Sequence, residues 1–417
     1  MVLKSPGPMR RTWLLLFALV LLPRGAGAQG DPIGPEFQVN TYTTGGQFGA
    51  SVAADSSGRF VVVWTSQDGP IAGIFGQRYD SGGAPLGPEF RVNTYSTAFA
   101  YLPAVAADPS GNFVVVWTGS DGSYAGVFAQ RYDSSGAPLG SEFRVNSYTT
   151  LQQRFPSIAV GGTGDFVVAW DSYQDGSESG VFGQRYASSG APLGSEFRVN
   201  TFTPLSQGGA TVAADLAGNF VVMWSSAYQG PLANSPLYGQ RFASSGAPLG
   251  PEFRVSTYAT VFGTQGAPSI GMEPSGDFVA VWTSFPQDDS GRGVYGQRFS
   301  GSGVPLGSEF RVNTQTLLDQ YASRVSVDAS GNFVVVWTSE LGVGDSVFGQ
   351  RYDSSGSPLG PEFLVNTYTT GDQRGPSVAA DPLGRFVVVW ESPLQDGIFG
   401  QRYSPIFPVE LTGFTIQ

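Results

Sequence analysis

Residues 126–146 read GVFAQRYDSSGAPLGSEFRVN, and this stretch recurs with few changes through almost the whole chain. Its Glu-Phe pair begins at positions 36, 89, 142, 196, 252, 309 and 362, so the successive spacings are 53, 53, 54, 56, 57 and 53 residues. A fixed period of this size is typical of architectures in which each repeat is one supersecondary unit packed against its neighbours. The repeat therefore decides the expected fold.

One repeat, residues 104–146, contains four short strand patterns. Residues 104–107 are small and apolar, and a turn of sequence Asp-Pro-Ser-Gly follows them. Residues 113–117 read Phe-Val-Val-Val-Trp, and residues 126–132 and 142–146 supply two further segments rich in β-branched and aromatic side chains. Four strands with short connections predict an antiparallel four-stranded sheet in every repeat.

The second strand of each repeat is apolar on both faces, so both faces must be covered. Blades of a β-propeller pack face to face and provide that cover, and the small first strand suits the crowded axis. The mature chain opens with a lone fourth strand, Phe37–Val39, and closes with first, second and third strands over residues 377–403. We therefore expect an all-β fold, a closed seven-bladed β-propeller of four-stranded antiparallel blades whose last blade is completed by the N-terminal strand.

The two ends of the chain differ from the repeats. A basic start with Lys4 and Arg10, an apolar run and a small-residue site at Ala28 predict a signal peptide over residues 1–28. We expect the propeller to span residues 29–404, a C-terminal tail to span residues 405–417, and the protein to be secreted or extracytoplasmic, with attachment to the cell surface left open. The apolar run is too short for a membrane-spanning helix.

The composition excludes several classes of function. Cleavage after residue 28 leaves 18 basic and 33 acidic residues, a net charge of −15, which argues against nucleic acid and anionic lipid as partners. The chain has no Cys, so no disulfide supports the fold, and it has no His. A Ser-His-Asp triad and a Cys nucleophile are therefore excluded.

The repeat wording GVFGQRYDSSG followed by EFRVN resembles tandem repeats of exported bacterial surface proteins, including large adhesin-like chains. The resemblance covers roughly residues 30–404 and implies an exported propeller from a bacterium. The completion of the last blade by an N-terminal strand also resembles the closure of WD-repeat propellers. The terminal stretch Pro408–Phe414 is similar to a segment near the C-terminus of many exported bacterial proteins.

Ligand-binding residues are expected in the loops that vary in length between repeats, because variable loops on a rigid scaffold usually carry binding. We interpret an aromatic position as a stacking surface for sugar rings, and an Asp position as a weak calcium site. The alternative is that each aromatic side chain packs its own loop and each Asp closes a turn. The aromatic positions are Tyr42, Tyr95, Tyr148, Phe202, Tyr258 and Tyr368, and the acidic positions are Asp68, Asp121, Asp175, Asp288, Asp345 and Asp396.

These patterns predict a secreted, non-catalytic binding or adhesion module that recognises a glycan through the variable loops, and not an enzyme. A platform for a cell-surface protein is the alternative. A glycoside hydrolase that uses carboxylates is a third interpretation, with Glu178, Glu273, Glu340 and Glu391 as candidates. We interpret each Arg of the repeat, such as Arg78, as the structural partner of Glu89 on the neighbouring strand or of a nearby turn Asp.

Overall fold

The structure is a computed structural model, and it describes residues 31–405 except 70, 95–98, 123, 175, 177, 231–234, 259–263 and 288–290. The predicted signal peptide and residues 406–417 of the predicted tail lie outside the described residues. Within the described chain, seven sheets of four antiparallel strands account for all the strands. None of the helices in this part of the chain is long and apolar enough to cross a membrane.

The strands follow one another in a simple order. β1 (Phe37–Gln38) comes first. The first three blades contain β2 (Gln47–Ala54), β3 (Phe60–Ser66), β4 (Gly73–Tyr79) and β5 (Phe90–Arg91); β6 (Ala100–Ala107), β7 (Phe113–Ser120), β8 (Ala125–Tyr132) and β9 (Phe143–Arg144); and β10 (Gln153–Val160), β11 (Phe166–Ser172), β12 (Gly180–Tyr186) and β13 (Phe197–Arg198).

The last four blades repeat the pattern. They contain β14 (Gln207–Ala214), β15 (Phe220–Ser226), β16 (Leu237–Phe242) and β17 (Phe253–Arg254); β18 (Thr264–Met272), β19 (Phe278–Phe285), β20 (Gly293–Phe299) and β21 (Phe310–Arg311); β22 (Gln320–Val327), β23 (Phe333–Glu340), β24 (Asp345–Tyr352) and β25 (Phe363–Leu364); and β26 (Arg374–Ala380), β27 (Phe386–Ser392) and β28 (Gly397–Tyr403). A 3₁₀ helix, Pro393–Gln395, joins β27 to β28.

The core lies between the blades. Val115 and Trp117 of the second blade pack against Val63 of the first, whereas Val116 packs against Trp170 of the third. The apolar second strand is thus covered on both faces, as predicted. Burying one large apolar side chain contributes about 1.5–3 kcal/mol, and the core Trp is repeated in every blade. The inner strands contact one another around a closed ring, which confirms the seven-bladed propeller.

The N-terminal segment completes the seventh blade. β1 pairs with β28, with Phe37 opposite Gly400. Upstream of it, the Ile33 amide donates to the Arg402 carbonyl at 2.7 Å. Pairing the first strand with the last closes the ring through backbone hydrogen bonds and gives the seventh blade four strands like the others, as the phase of the repeat predicts.

The repeated charged residues connect neighbouring blades. Arg78 Nη2 donates to the Ser134 carbonyl of the next blade at 2.9 Å. The Glu89 carboxylate accepts from the Thr41 amide, next to the outer strand of the preceding blade, at 2.8 Å. The expectation of an Arg78–Glu89 pair within one blade is therefore wrong. Both residues are structural, but each has its partner in an adjacent blade.

Candidate functional site

The loops that vary in length all emerge on one side of the ring, called here the loop face. They join second to third strands, and each fourth strand to the next inner strand. Every inner strand enters from this face and carries a bulge near its start, where the register with the second strand shifts. At the bulge, Leu102, Phe155 and Ala322 have φ of 54°, 57° and 54°. Non-glycine residues rarely adopt this conformation, so the channel mouth is a strained part of the backbone.

A hydrogen bond from the neighbouring blade holds the bulge. The Leu102 and Phe155 amides donate to the hydroxyls of Thr65 and Thr118, each at 3.2 Å. The accepting residue is the one that directly follows the core Trp of the preceding blade. In five blades this residue carries a hydroxyl: Thr65, Thr118, Ser225, Thr283 and Thr338. In the third and seventh blades it is a carboxylate, Asp171 and Glu391, so these two blades break the repeat.

Asp171 belongs to the third-blade cluster, defined as Arg154, Asp171 and Tyr173. Its carboxylate accepts from the Gly209 amide at 2.9 Å and the Ala210 amide at 3.3 Å. Asp171 is 6% exposed, and desolvation by this burial raises its pKa to about 6. Arg154, opposite Asp171 in the sheet, donates instead to the Tyr173 hydroxyl at 2.7 Å. The carboxylate is enclosed and serves the backbone of the fourth blade.

Glu391 is more open to solvent. It accepts from the Gly49 amide at 2.6 Å, and Arg374 Nε lies 3.8 Å from its second oxygen. The side chains of Glu391 and Arg374 are 15% and 47% exposed. Burial raises the pKa of Glu391 above its ordinary value, although the Gly49 hydrogen bond and the Arg374 charge oppose the shift. A carboxyl group with a raised pKa beside an exposed guanidinium is a candidate proton donor.

Two residues of the sixth blade extend this cluster. The Tyr321 hydroxyl donates to Asp345 at 2.7 Å. Desolvation and the Asp345 carboxylate raise the pKa of Tyr321, and the Arg374 charge acts on the same hydroxyl in the opposite sense. Arg374 therefore interacts with Glu391 and with Tyr321, and Tyr321 binds Asp345. We call these four residues the seventh-blade cluster. Together they offer one proton donor, one carboxylate, one cation and one phenol.

The predicted aromatic positions lie elsewhere on the loop face. They follow the outer strands and are not brought together at the channel mouth. Tyr42 is 58% exposed and lines a groove of about 390 Å³ beside Phe37 and Glu89. Tyr258 donates through its hydroxyl to the Pro286 carbonyl at 3.2 Å, so it packs against the loop that follows β19. Tyr148 and Phe202 are half-buried, Tyr368 is exposed, and Tyr95 lies outside the described residues. Ligand binding at these positions stays a prediction.

The predicted acidic positions mostly serve their own loops. Asp68 accepts from Gln47 and Ser66, Asp121 accepts from the Tyr124 amide, and Asp396 ends the 3₁₀ helix. Asp175 and Asp288 lie outside the described residues. Within the described chain, no three His, Cys, Asp or Glu residues form a group that could hold a metal ion. Calcium binding stays an untested prediction.

Sequence reasoning missed most of the seventh-blade cluster. The sequence indicated Glu391 as a candidate carboxylate of a glycoside hydrolase and Asp345 as a candidate calcium ligand. It gave no indication for Tyr321 or Arg374. Of the other carboxylate candidates, Glu273 lies in a tight turn on the opposite face, Glu178 is exposed on a loop, and Glu340 is exposed at the end of β23, opposite Asp345. One comparison would have found the cluster: the residue after the core Trp reads Thr, Thr, Asp, Ser, Thr, Thr and Glu through the seven repeats.

No protein-family model matches the chain, and no curated protein matches it. Several solved structures share its architecture. An α-L-arabinanase of Penicillium chrysogenum, solved with arabinobiose, is 14% identical with a TM-score of 0.51, covering 91% of this chain and 98% of its own. The polysaccharide lyase Uly1 is 8% identical with a TM-score of 0.56, covering 90% and 100%. A protein of unknown function from Dyadobacter fermentans is 10% identical with a TM-score of 0.55, covering 90% and 99%.

These comparisons contradict two expectations from the sequence, that the protein is a non-catalytic binding or adhesion module and that it is not an enzyme. The arabinanase and the lyase are carbohydrate-processing enzymes whose propellers match this one over nine-tenths of the chain. The expectation rested on the sameness of the repeats and overlooked the two blades that differ. At such low identity the likeness shows the fold, so any activity must be argued from the residues of this chain.

Proposed function

We propose that this protein is a carbohydrate-processing enzyme that cleaves glycosidic bonds of an extracellular polysaccharide at the seventh-blade cluster. One observation carries the proposal. Glu391 replaces the hydroxyl residue found at this position in five other blades. Its carboxyl group is partly exposed, has a raised pKa and lies 3.8 Å from Arg374, whose charge also acts on the Tyr321 hydroxyl bound to Asp345. A structural acceptor for the Gly49 amide requires only a hydroxyl, as Thr338 shows toward Gly375 at 3.2 Å.

Hydrolysis of a glycosidic bond needs two carboxyl groups with different protonation states. Glu391, which holds its proton to a higher pH than an exposed Glu, donates it to the leaving oxygen as the bond to the anomeric carbon breaks. The Asp345 carboxylate takes a proton from the attacking water, whose oxygen forms the new bond. Proton transfer through solvent then restores both groups, so that one bond and one water are consumed.

The other two residues position the sugar and the acids. The exposed guanidinium of Arg374 can donate to sugar hydroxyls on its solvent side, and its charge stabilises the glutamate left after proton transfer. The Tyr321 hydroxyl fixes the Asp345 carboxylate through a short hydrogen bond. The matched propellers support this proposal, since an arabinanase and a polysaccharide lyase have the same architecture.

The proposal is tested by incubating residues 29–417 with neutral and acidic plant, algal and bacterial polysaccharides. New reducing ends and chain length are measured, together with the absorbance of a conjugated double bond. We expect new reducing ends on at least one polysaccharide, and their loss in Glu391→Gln. Products that carry the double bond would show elimination in place of water attack and contradict the hydrolytic step. A panel that gives no product with the folded wild-type protein would overturn the proposal.

A further inference from the structure

Arg324 occupies a position on the wall of the axial channel. It lies on the inner strand β22, three residues beyond Tyr321 and therefore deeper in the ring. Its neighbours Ser323 and Val325 are buried between blades, at 0% and 7% exposure, whereas the side chain of Arg324 is exposed. Successive side chains of a strand point to opposite sides. An exposed side chain between two buried ones on the innermost strand therefore faces the channel.

The guanidinium of Arg324 has no carboxylate partner among the described residues. Its hydrogen bond within the protein goes from Nη1 to the Ser323 carbonyl at 2.9 Å, and the ion pairs of the described chain do not include it. Desolvation lowers its pKa even though the side chain is exposed. The exposure of the side chain and the lowered pKa agree if the guanidinium lies in a narrow, water-filled channel surrounded by protein. A charge in such surroundings is normally paired, so this one lacks an anion.

Arg324 also stands where four other blades have a serine that bonds to the next blade. The matching position in the first, third, fifth and seventh blades is a Ser whose hydroxyl accepts an amide of the next blade: Ser51 from Val105, Ser157 from Val212, Ser269 from Val325 and Ser377 from Val52. Arginine has no acceptor, so the sixth blade gives up this bond. In its place the hydroxyl of Ser326, two residues further along the strand, accepts from the Ala380 amide at 2.9 Å.

The chain therefore keeps an unpaired cation where the repeat favours a serine. Exchange of a structural residue without a structural gain is expected at functional positions. The protein carries a formal net charge of −11, which makes an isolated Arg in its axial channel a selective feature for negative ligands. A guanidinium fits a carboxylate through two parallel hydrogen bonds and is also a good donor to sulfate.

From this geometry we propose that Arg324 binds the anionic group of an acidic sugar, so that the polysaccharide cleaved at the seventh-blade cluster carries uronate or sulfate groups and enters the axial channel. This inference rests on the proposed function for the identity of the ligand as a sugar chain. Arg374 lies at the mouth, on the adjacent blade. The two arginines would bind successive parts of one anionic chain.

The test compares Arg324→Ser, which restores the repeat residue and its hydrogen-bonding capacity, with Arg311→Ser. Arg311 is exposed on the outer strand β21, so its loss changes the net charge equally and leaves the channel unchanged. Binding is measured by calorimetry with an oligogalacturonate, a sulfated oligosaccharide and a neutral oligosaccharide of equal length. Thermal unfolding of each variant confirms that it is folded.

We expect Arg324→Ser to weaken binding of an acidic oligosaccharide about 10- to 100-fold, and Arg311→Ser to leave it within about twofold. A loss for oligogalacturonate alone identifies the carboxylate as the ligand group, and a loss for the sulfated chain alone identifies sulfate. Equal binding of all three oligosaccharides by wild type and Arg324→Ser would overturn the inference.

Glu391→Gln separates this inference from the proposed function. If the site is an enzyme with an anionic substrate, this variant binds the acidic oligosaccharide like wild type and does not cleave it. If Glu391→Gln cleaves at the wild-type rate, the proposed catalytic role is wrong while Arg324-dependent binding still stands. If only neutral polysaccharide is cleaved, and Arg324→Ser does not change its cleavage, the proposed function stands and the inference of an anion site at Arg324 is wrong.

Discussion

The third and seventh blades carry the same kind of substitution with opposite surroundings. In both, a carboxylate follows the core Trp and lies opposite an Arg of the inner strand. In the third blade, two backbone amides enclose Asp171, and Arg154 turns to Tyr173. In the seventh, Glu391 uses one amide, contacts Arg374 and keeps access to solvent. The difference teaches that a carboxylate at this position can contact a ligand only where its neighbours leave it accessible.

The largest expected difference between the two blades is in catalysis. Glu391→Gln should lower kcat by about 10²–10⁴-fold, the usual contribution of a general acid. Asn at position 171 keeps an acceptor for the Gly209 amide, so Asp171→Asn should stay within about threefold of wild type. Initial rates on a cleaved polysaccharide measure both. Equal losses in the two variants would show that the carboxylates act alike.

The enclosed carboxylate should appear in the pH dependence of stability. The pKa of Asp171 is about 6 in the folded chain and 3.8 ordinarily, so the folded protein keeps a proton that the unfolded chain releases. The stability linked to this group is full below about pH 4 and is lost as pH rises through about 6, by on the order of 3 kcal/mol. Urea unfolding from pH 4 to 7 should show this loss in wild type beyond that in Asp171→Asn. Parallel curves would contradict the raised pKa.

Close packing around Asp171 gives a third contrast. A Cβ at Gly208 would lie 2.7 Å from the Asp171 carboxylate, whereas a Cβ at Gly266, the matching position of the fifth blade, meets nothing within 4 Å. Gly208→Ala should therefore lower the free energy of unfolding by about 1–3 kcal/mol, and Gly266→Ala should change it little. Chemical denaturation measures both, and an equal effect would show that Asp171 has room to move.

The smallest expected effect concerns the phenol of the seventh-blade cluster. Tyr321→Phe removes the hydrogen bond to Asp345 and should lower kcat/KM about tenfold. Tyr101 occupies the matching position of the second blade, where Ala125 stands in place of Asp345 and Asp171 of the third blade stands in place of Glu391. Tyr101→Phe should leave kcat/KM unchanged. Unchanged kcat/KM in both variants would remove Tyr321 from the proposed site.

The fold was predictable from the sequence because the sequence shows both the period of the repeat and its phase, that is, which strand of the repeat comes first and which comes last. The lone strand at Phe37 predicts the ring closure without any three-dimensional information. Partners in adjacent blades were harder, since Arg78 and Glu89 share one repeat and yet pair outside it. Repetition predicts which residues recur, but the neighbour that each one contacts depends on how the blades pack.

The candidate site was largely hidden for the same reason. Tyr321, Asp345 and Arg374 are separated by 24 and 29 positions. Strand pairing within the seventh blade places Arg374 opposite Glu391, whereas Tyr321 and Asp345 reach the cluster only because the sixth blade packs against the seventh. The accessibility that distinguishes Glu391 from Asp171 is a property of the folded ring. Arg324 shows the same limit, because its exposure to the channel follows from the alternation of β22 and the closure of the inner strands.

The most direct measurement is a crystal structure of Glu391→Gln soaked with an oligosaccharide that the wild-type protein cleaves. The proposed function predicts a sugar chain at the channel mouth, with a glycosidic oxygen within hydrogen-bonding distance of residue 391 and a sugar group close to Arg374. A sugar seated instead on the outer-strand loops at Tyr42 or Tyr148, or at the third-blade cluster, would contradict the assignment of the seventh-blade cluster as the site of cleavage.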